Sequence, residues 1–408
     1  VVKKSLIMRK YRRYWEKFVE GILFSSSTVT SLTVILIIIF LFREGIGLFS
    51  HKPVDKGYVF ALNINNPVKE LSAKQLKDIF NTDITNWKDV GGNNDTITLL
   101  TVNDIPNYYT EEEMGPDMEN LPVLVNKLIQ ENIGAMVFIS DKYIPADFNG
   151  YILPVKNISP KEFVLGKEWY PTAEPVPLFG VLPLILGTLI VTLGAILIAL
   201  PLGLATAIFM AEVSSFRLRN ILKPLVELLA GIPSVVYGFF GLVIIVPLIQ
   251  QMFNLEVGET VLAGSIVLGI MALPTIITIS EDAIRTTPKS LKEASLALGA
   301  TRWQTMVRVV IPYARSGITT AIILGIGRAI GETMAVLMVT GNAAMIPHGF
   351  LVPARTIPAT IAAELGESPY GGLHFQALFA LGIILFIFTL IINFSIDLVK
   401  GRKHIKSL

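Results

Sequence analysis

The hydrophobic positions of the chain gather into six long blocks, at about 19–42, 178–210, 224–249, 261–279, 317–339 and 375–399. Each is long enough to cross a hydrocarbon layer as a helix, for which about 20 apolar residues suffice. Six crossings put both ends of the chain on the same side. Two polar stretches interrupt the series, at 43–177 and at 281–316. The first has the periodicities of a small soluble domain. Residues 58–63, 96–100 and 135–139 read as strands, and Ser72 with Gln75 makes a capping box that opens a helix to Phe80. Pro122 suits the start of a second helix that runs to about Asn132, with Gly134 as its stop. The expected fold is therefore a membrane all-α, six-span bundle with a small α/β domain inserted between spans one and two. The divisions are 1–50 for the basic N-terminus and first span, 51–162 for the insertion, and 163–408 for the remaining bundle.

Composition agrees with this pattern. Hydrophobic residues make up 52% of the chain and charged residues 16%, against roughly 25% charged in soluble domains. The net charge of +2 says little, but its distribution orients the bundle. Basic residues fill the N-terminus (Lys3, Lys4, Arg9, Lys10, Arg12, Arg13, Lys17), the loop with Arg217, Arg219 and Lys223, the 281–316 stretch, and the tail (Lys400, Arg402, Lys403, Lys406). The opposite short loops carry only Arg355. Basic loops stay inside, so both termini are expected in the cytosol and the insertion outside. No small-residue cleavage site follows the first apolar block, which reads as an uncleaved span rather than a signal peptide. Cysteine is absent, which removes disulfides, thiolate metal sites and cysteine nucleophiles. His51, His348, His374 and His404 show no ligand spacing, so no metal site is expected.

The 281–316 stretch predicts two helices at the cytosolic surface. Thr287 caps the first, Pro288 suits its first turn, and Gly299 ends it in the left-handed conformation. Thr301 and Gln304 form a capping box for the second, whose apolar side holds Trp303, Met306, Val307 and Val310. The apolar face of the first, Leu291, Ala294 and Leu298, is too small for a core and fits a groove on another protein. An ordinary amphipathic loop is the plainer alternative. The residues Glu293, Ala294, Gly299, Val309, Ile311 and Pro312 resemble the EAA signature of ABC-importer permeases, with Ser295 in place of the second alanine. That resemblance implies a coupling helix that docks on a separate ATP-hydrolysing subunit, with Glu293, Ala294, Leu298 and Gly299 as its coupling residues.

Within the apolar blocks, Arg328 and Glu332 stand four residues apart and are expected on one helix face, paired with each other and turned to the bundle interior. They read as a structural ion pair or as part of a transport path. The run LLAGIPSVVYGFFGL places Ser234 and Tyr237 where their hydroxyls offer either helix packing or contacts to a hydrated anion. Ala199, Gly203 and Ala207 predict close helix packing. Pro201, Pro233 and Pro274 interrupt hydrophobic helices. Gly325, Gly327 and Gly331 lack dinucleotide-binding spacing, and no Walker A motif occurs.

That run, together with GIGRAIGETMAVLMVTGN and the sequence after it, resembles the C-type permease subunit of phosphate ABC importers. The insertion's NNPVKELSAKQLKDIFNTDITNWKDVGG and IGAMVFIS resemble part of a phosphate-binding-protein lobe. In place of that family's Gly-Ser-Gly-Thr anion cradle stand Glu111, Glu112, Glu113, Asp117 and Glu119, and no arginine lies between Arg43 and Arg217, so the lobe is expected to lack its ligand site. The resemblance implies a bacterial inner-membrane protein that moves inorganic phosphate inward, with no cofactor of its own and ATP on its partner. It also implies an A-type paralogue as heterodimer mate, an ATPase dimer inside, a phosphate-binding protein outside, surrounding lipid, and no nucleic acid. Molybdate or sulfate is the alternative cargo, and a membrane receptor the alternative class. No nucleophile and base constellation suggests an enzyme.

Overall fold

The structure, a computed structural model, describes residues 2–54 and 57–401, with only the backbone of 2–14, 106, 111, 117 and 397–401. The tail residues Arg402, Lys403, His404 and Lys406 lie outside the described residues, as do the side chains of Lys3 to Arg13, Glu111, Asp117 and Lys400. Six helical segments are long and apolar enough to cross a membrane: Trp15–Ser50, Leu182–Val213, Ser234–Phe253, Val261–Arg285, Arg302–Ile330 and Leu373–Ile396.

Spans two and four form the closest pair, because small residues let their backbones approach. A Cβ on Gly194 would lie 2.2 Å from Ser265 Oγ, and one on Gly203 would lie 2.8 Å from Ile276. Ser265 Oγ donates across the interface to the Val191 carbonyl, at 3.2 Å. Ala199 and Ala207 are fully buried, as the small-residue spacing predicts. The first span sits at the periphery and rests on the sixth. Gly45 opens the way to the Ala380 backbone, and Phe40 meets Phe379 edge-on at 5.3 Å.

Two spans depart from the expected boundaries. The block expected at 224–249 is two helices, Phe216–Gly231 and then Ser234–Phe240 continuing to Phe253, with the break at Ile232 and Pro233. Proline lacks an N–H and crowds the preceding turn, so the chain changes direction there. Pro201 and Pro274 stay inside their helices. The block expected at 317–339 begins instead at Arg302, because the second helix of the 281–316 stretch runs on through a π-turn at Met306–Val310 into Ile311–Ile330. It stops at Gly331, and Met334–Val339 is a separate short helix.

The insertion is a four-stranded sheet, β1 (Tyr58–Asn63), β2 (Thr98–Thr101), β3 (Ala135–Ser140) and β4 (Gly150–Leu153), in the order β2-β3-β1-β4. β2 runs parallel to β3, and β1 is antiparallel to both its neighbours. Alternation along the strands divides the core. Phe60, Leu62 and Met136 face the Ala73–Phe80 helix through Leu76 and Ile79, whereas Ala61, Val137 and Ile139 face Leu121, Val125 and Ile129 of the Leu121–Glu131 helix. The Ser72 and Gln75 capping box is present. Gly134 does not stop the second helix, which ends at Asn132. It is needed for a close approach, since a Cβ there would lie 2.2 Å from the Thr96 carbonyl oxygen.

Between the sheet and span two, the helix Pro160–Leu165 and the hairpin β5 (Trp169–Tyr170) and β6 (Leu178–Phe179) pack on the bundle. Phe163, Trp169 and Phe179 share a core with Leu184, Ala377 and Leu381. A cluster of polar groups fixes this junction. Trp169 Nε1 donates to Glu364 at 3.0 Å, Arg355 reaches the same carboxylate at 2.6 Å, and His374 Nε2 lies 2.9 Å from it.

Candidate functional site

Two places combine exposed or charged chemistry with special backbone. One is the polar surface between spans four and five. Lys289–Ala297 is a short helix with no buried residue; Leu291, Ala294 and Glu293 are exposed and Leu298 is 90% exposed. An apolar side chain so placed gains nothing from this chain's own core, and only a second protein or lipid would cover it. The ends of the helix are firmly set. Gly299 has φ of +85°, as expected, with nothing within 4 Å of a Cβ placed there, so backbone conformation alone selects glycine. The Thr301 and Gln304 capping box follows at once. Thr287 does not cap the first helix. Pro288 occupies the cap position, with no side-chain bond, and the Thr287 hydroxyl is buried without a partner.

Side-chain bonds hold this helix against the bundle. Lys292 pairs with Glu212 at the end of span two, and Ser295 Oγ lies 2.9 Å from Thr305 Oγ1. Of the apolar side expected on the following helix, Met306 and Val310 are buried while Trp303 and Val307 are exposed. Beneath lies a charge cluster that sequence reasoning missed. Glu281 is fully buried and meets Arg219 at 2.7 Å, Lys223 at 3.4 Å and Arg285 at 3.6 Å. Burial works to lower the Lys223 ammonium, but Asp282 and Glu281 outweigh it and hold it above its ordinary range. Only the Glu281 to Arg285 spacing hints at this cluster in the sequence; Arg219 is 62 positions away.

The second place is inside the bundle, where helix breaks converge. The Ser234–Phe240 helix packs on Met334–Val339, since a Cβ on Gly238 would lie 2.9 Å from Ala335 Cα. Both begin just after a break, and Pro274 of span four is beside Thr275, which accepts from Arg328 Nη1 at 3.4 Å. Arg328 is half-buried near the end of Ile311–Ile330. It does not pair with Glu332. The helix ends at Ile330, so the four-residue spacing no longer places the two on one face, and no carboxylate pairs with Arg328 among the described residues. Glu332 stands half-buried just past the break. Ser234 is half-buried at the first position of its helix. The Tyr237 hydroxyl donates to the Leu229 carbonyl at 2.7 Å, tying the two helices across the Pro233 break.

A family model described as "Binding-protein-dependent transport system inner membrane component" matches residues 199–404, half of the chain and both of these places. The chain belongs to this family of ABC-importer permeases. A second model, "PBP superfamily domain", matches residues 43–134 of the permease, which takes in β1 and β2 of the sheet and stops before β3 and β4. The chain is 43% identical over 251 residues, 62% of its length and 81% of the relative's, to "Probable ABC transporter permease protein YqgH" of Bacillus subtilis. It is 42% identical over 249 residues, 56% of its length and 75% of the relative's, to "Phosphate transport system permease protein PstC" of Mesorhizobium japonicum. Among solved structures, an inward-facing MetNI methionine ABC transporter chain is 21% identical with a TM-score of 0.43, covering 56% of this chain and 99% of that one. The permease is thus a transport subunit with six candidate spans, not an enzyme.

Proposed function

We propose that this permease passes inorganic phosphate inward, driven by a separate ATPase that docks on the Lys289–Ala297 helix. The observation that carries the reading is Arg328, a guanidinium without a carboxylate partner among the described residues, held by a single hydroxyl where breaks in neighbouring helices meet. An arginine inside a span is costly unless it has a function, and a planar fork of N–H donors suits an oxyanion. Glu332 adds selectivity. Phosphate near neutral pH keeps a proton that it donates to a carboxylate, whereas fully ionised sulfate meets only repulsion. Relatives named as phosphate permeases at about the same identity support the same cargo.

Outside Arg328, the reading assigns Ser234 and Tyr237 to the wall of the path and Glu293, Ala294, Leu298 and Gly299 to the docking face. It calls for an A-type paralogue as mate, an ATPase dimer at the basic face, an external phosphate-binding protein, and both termini in the cytosol. Uptake of radiolabelled phosphate into vesicles that hold the full complex is the test. Arg328→Gln should abolish uptake while the complex still assembles, and unlabelled sulfate or molybdate should not compete. Competition by either anion at equal concentration would reassign the cargo, and full uptake by Arg328→Gln would remove Arg328 from the path.

A further inference from the structure

Residues 51–180, the insertion and the junction that follows it, carry a net negative charge, with eleven lysines and no arginine against eighteen carboxylates. Four of these lysines are nonetheless gathered at one place. A cleft of about 620 Å³ lies between the start of the Ala73–Phe80 helix and the Pro160–Leu165 helix with its hairpin, and Lys74, Lys156, Lys161 and Lys167 all line it. Ile158, Leu178 and Phe179 form an apolar floor, which is continuous with the core shared with span six.

Two carboxylates, Glu162 and Glu168, also line the cleft. Glu162 accepts from the Ser159 backbone and hydroxyl in a capping box. Glu168 pairs with Lys77, whose ammonium also lies 4.7 Å from the centre of the Tyr170 ring. Glu70 pairs with Lys156 at 2.8 Å. Lys74, Lys161 and Lys167 have no carboxylate partner among the described residues. Like charges facing one cleft repel each other unless an anion stands between them.

We infer that this cleft binds a phosphate oxyanion, at the seam between the insertion and the bundle. A bare phosphate would leave most of the volume empty, whereas ligand sites of this size, about 300–1,000 Å³, pair an apolar wall with a few polar groups. The floor's continuity with the bundle core places the cleft near the outer membrane surface, where the phosphodiester headgroup of an anionic lipid is at hand. Free inorganic phosphate shares the chemistry. Because the lysines come from both sides of the seam, an anion there would clamp the insertion to the bundle beside the Lys77 clasp.

The test uses the full chain and three protein forms: the unaltered cleft, Lys74→Gln with Lys161→Gln and Lys167→Gln, and a control with the exposed Lys88, Lys127 and Lys142 changed to Gln. One arm counts retained phosphatidylglycerol against phosphatidylcholine by native mass spectrometry. The other measures radiolabelled inorganic phosphate by equilibrium dialysis, with all three forms carrying Arg328→Gln so that the transport path does not contribute. Binding of either probe should weaken roughly ten-fold or more in the cleft variant and hold in the control. The arm that responds identifies the source. No preference for phosphatidylglycerol together with no phosphate binding would overturn the inference, as would equal losses in cleft and control variants. Either result leaves the Arg328 reading untouched.

Discussion

Glu281 has no contact with water, and three cations converge on it from two helices. Removing its charge leaves Arg219 and its neighbours facing one another. Uncoupling a buried ion pair costs about 3–5 kcal/mol, and the partial exposure of the cations puts this case toward the lower figure. Glu281→Gln should therefore lower the unfolding midpoint in detergent by several degrees, while Asp282→Asn, at an exposed position, should leave it within error. Equal shifts would mean that the cluster is held by solvent and not by burial. Glu364 makes a similar tie at the junction with the insertion. Burial alone would raise its carboxyl, but the bonds from His374 and Trp169 and the charge of Arg355 prevail and hold it below the ordinary 4.5. A depressed carboxyl stabilises the fold above its unfolded-state value and loses that contribution as pH falls through the folded one, so the loss should set in as pH falls past the ordinary carboxyl range and deepen toward the lower folded value. Glu364→Gln should flatten this part of the pH profile, read as the unfolding midpoint; an unchanged slope would assign the acid loss to other groups. Neither cluster was legible as a whole, because Arg219 and Trp169 lie far along the chain from the carboxylates they meet. Gly299 was legible, since a helix stop followed by a capping box leaves one residue type for the turn.

Helix continuity is where the sequence reading of the candidate site failed. Nothing marks Gly331 as a stop in an apolar run, so Arg328 and Glu332 read as a pair on one face; the helix ends between them. Pro233 was legible as an interruption, though not as a full break between two helices. Three of the sheet's four strands were read to within a residue or two, because alternation on a two-sided core leaves little choice of register, whereas β4 was not read. The break leads to a definite expectation. Exchanging the charges, Arg328→Glu with Glu332→Arg, should not restore uptake, because the two positions are not partners in the fold; recovery would reinstate the ion pair. The docking helix gives a second. Gly299→Val forces a β-branched residue into a left-handed turn at about 1–2 kcal/mol or more, enough to displace a short exposed helix without unfolding the bundle. ATPase stimulation by substrate should fall while the complex stays intact in size-exclusion chromatography, and unchanged stimulation would separate this helix from coupling.

At the scale of the whole molecule the insertion is an addition to the permease, placed where loop length costs little. Replacing 57–157 by a short Gly/Ser linker should leave the membrane complex assembled and weaken capture of the external binding protein; undiminished capture would make the lobe a decoration. The insertion's two hydrophobic clusters draw on residues 59–155 and, beyond those, only on Val54 and Val176. The seam is different, because Trp169 and Glu364 are separated by 195 positions. During synthesis the chain emerges from its N-terminus, and domains fold as they become complete. The lobe can therefore finish its own sheet outside the membrane while most of the bundle is still unmade. Its attachment has to wait for Arg355, Glu364 and His374, which arrive with the loop before span six and that span's first turn. The bond that fixes the oldest soluble part of the molecule to the membrane is among the last to close, so a chain truncated before span six would carry a finished lobe on an unfastened stalk.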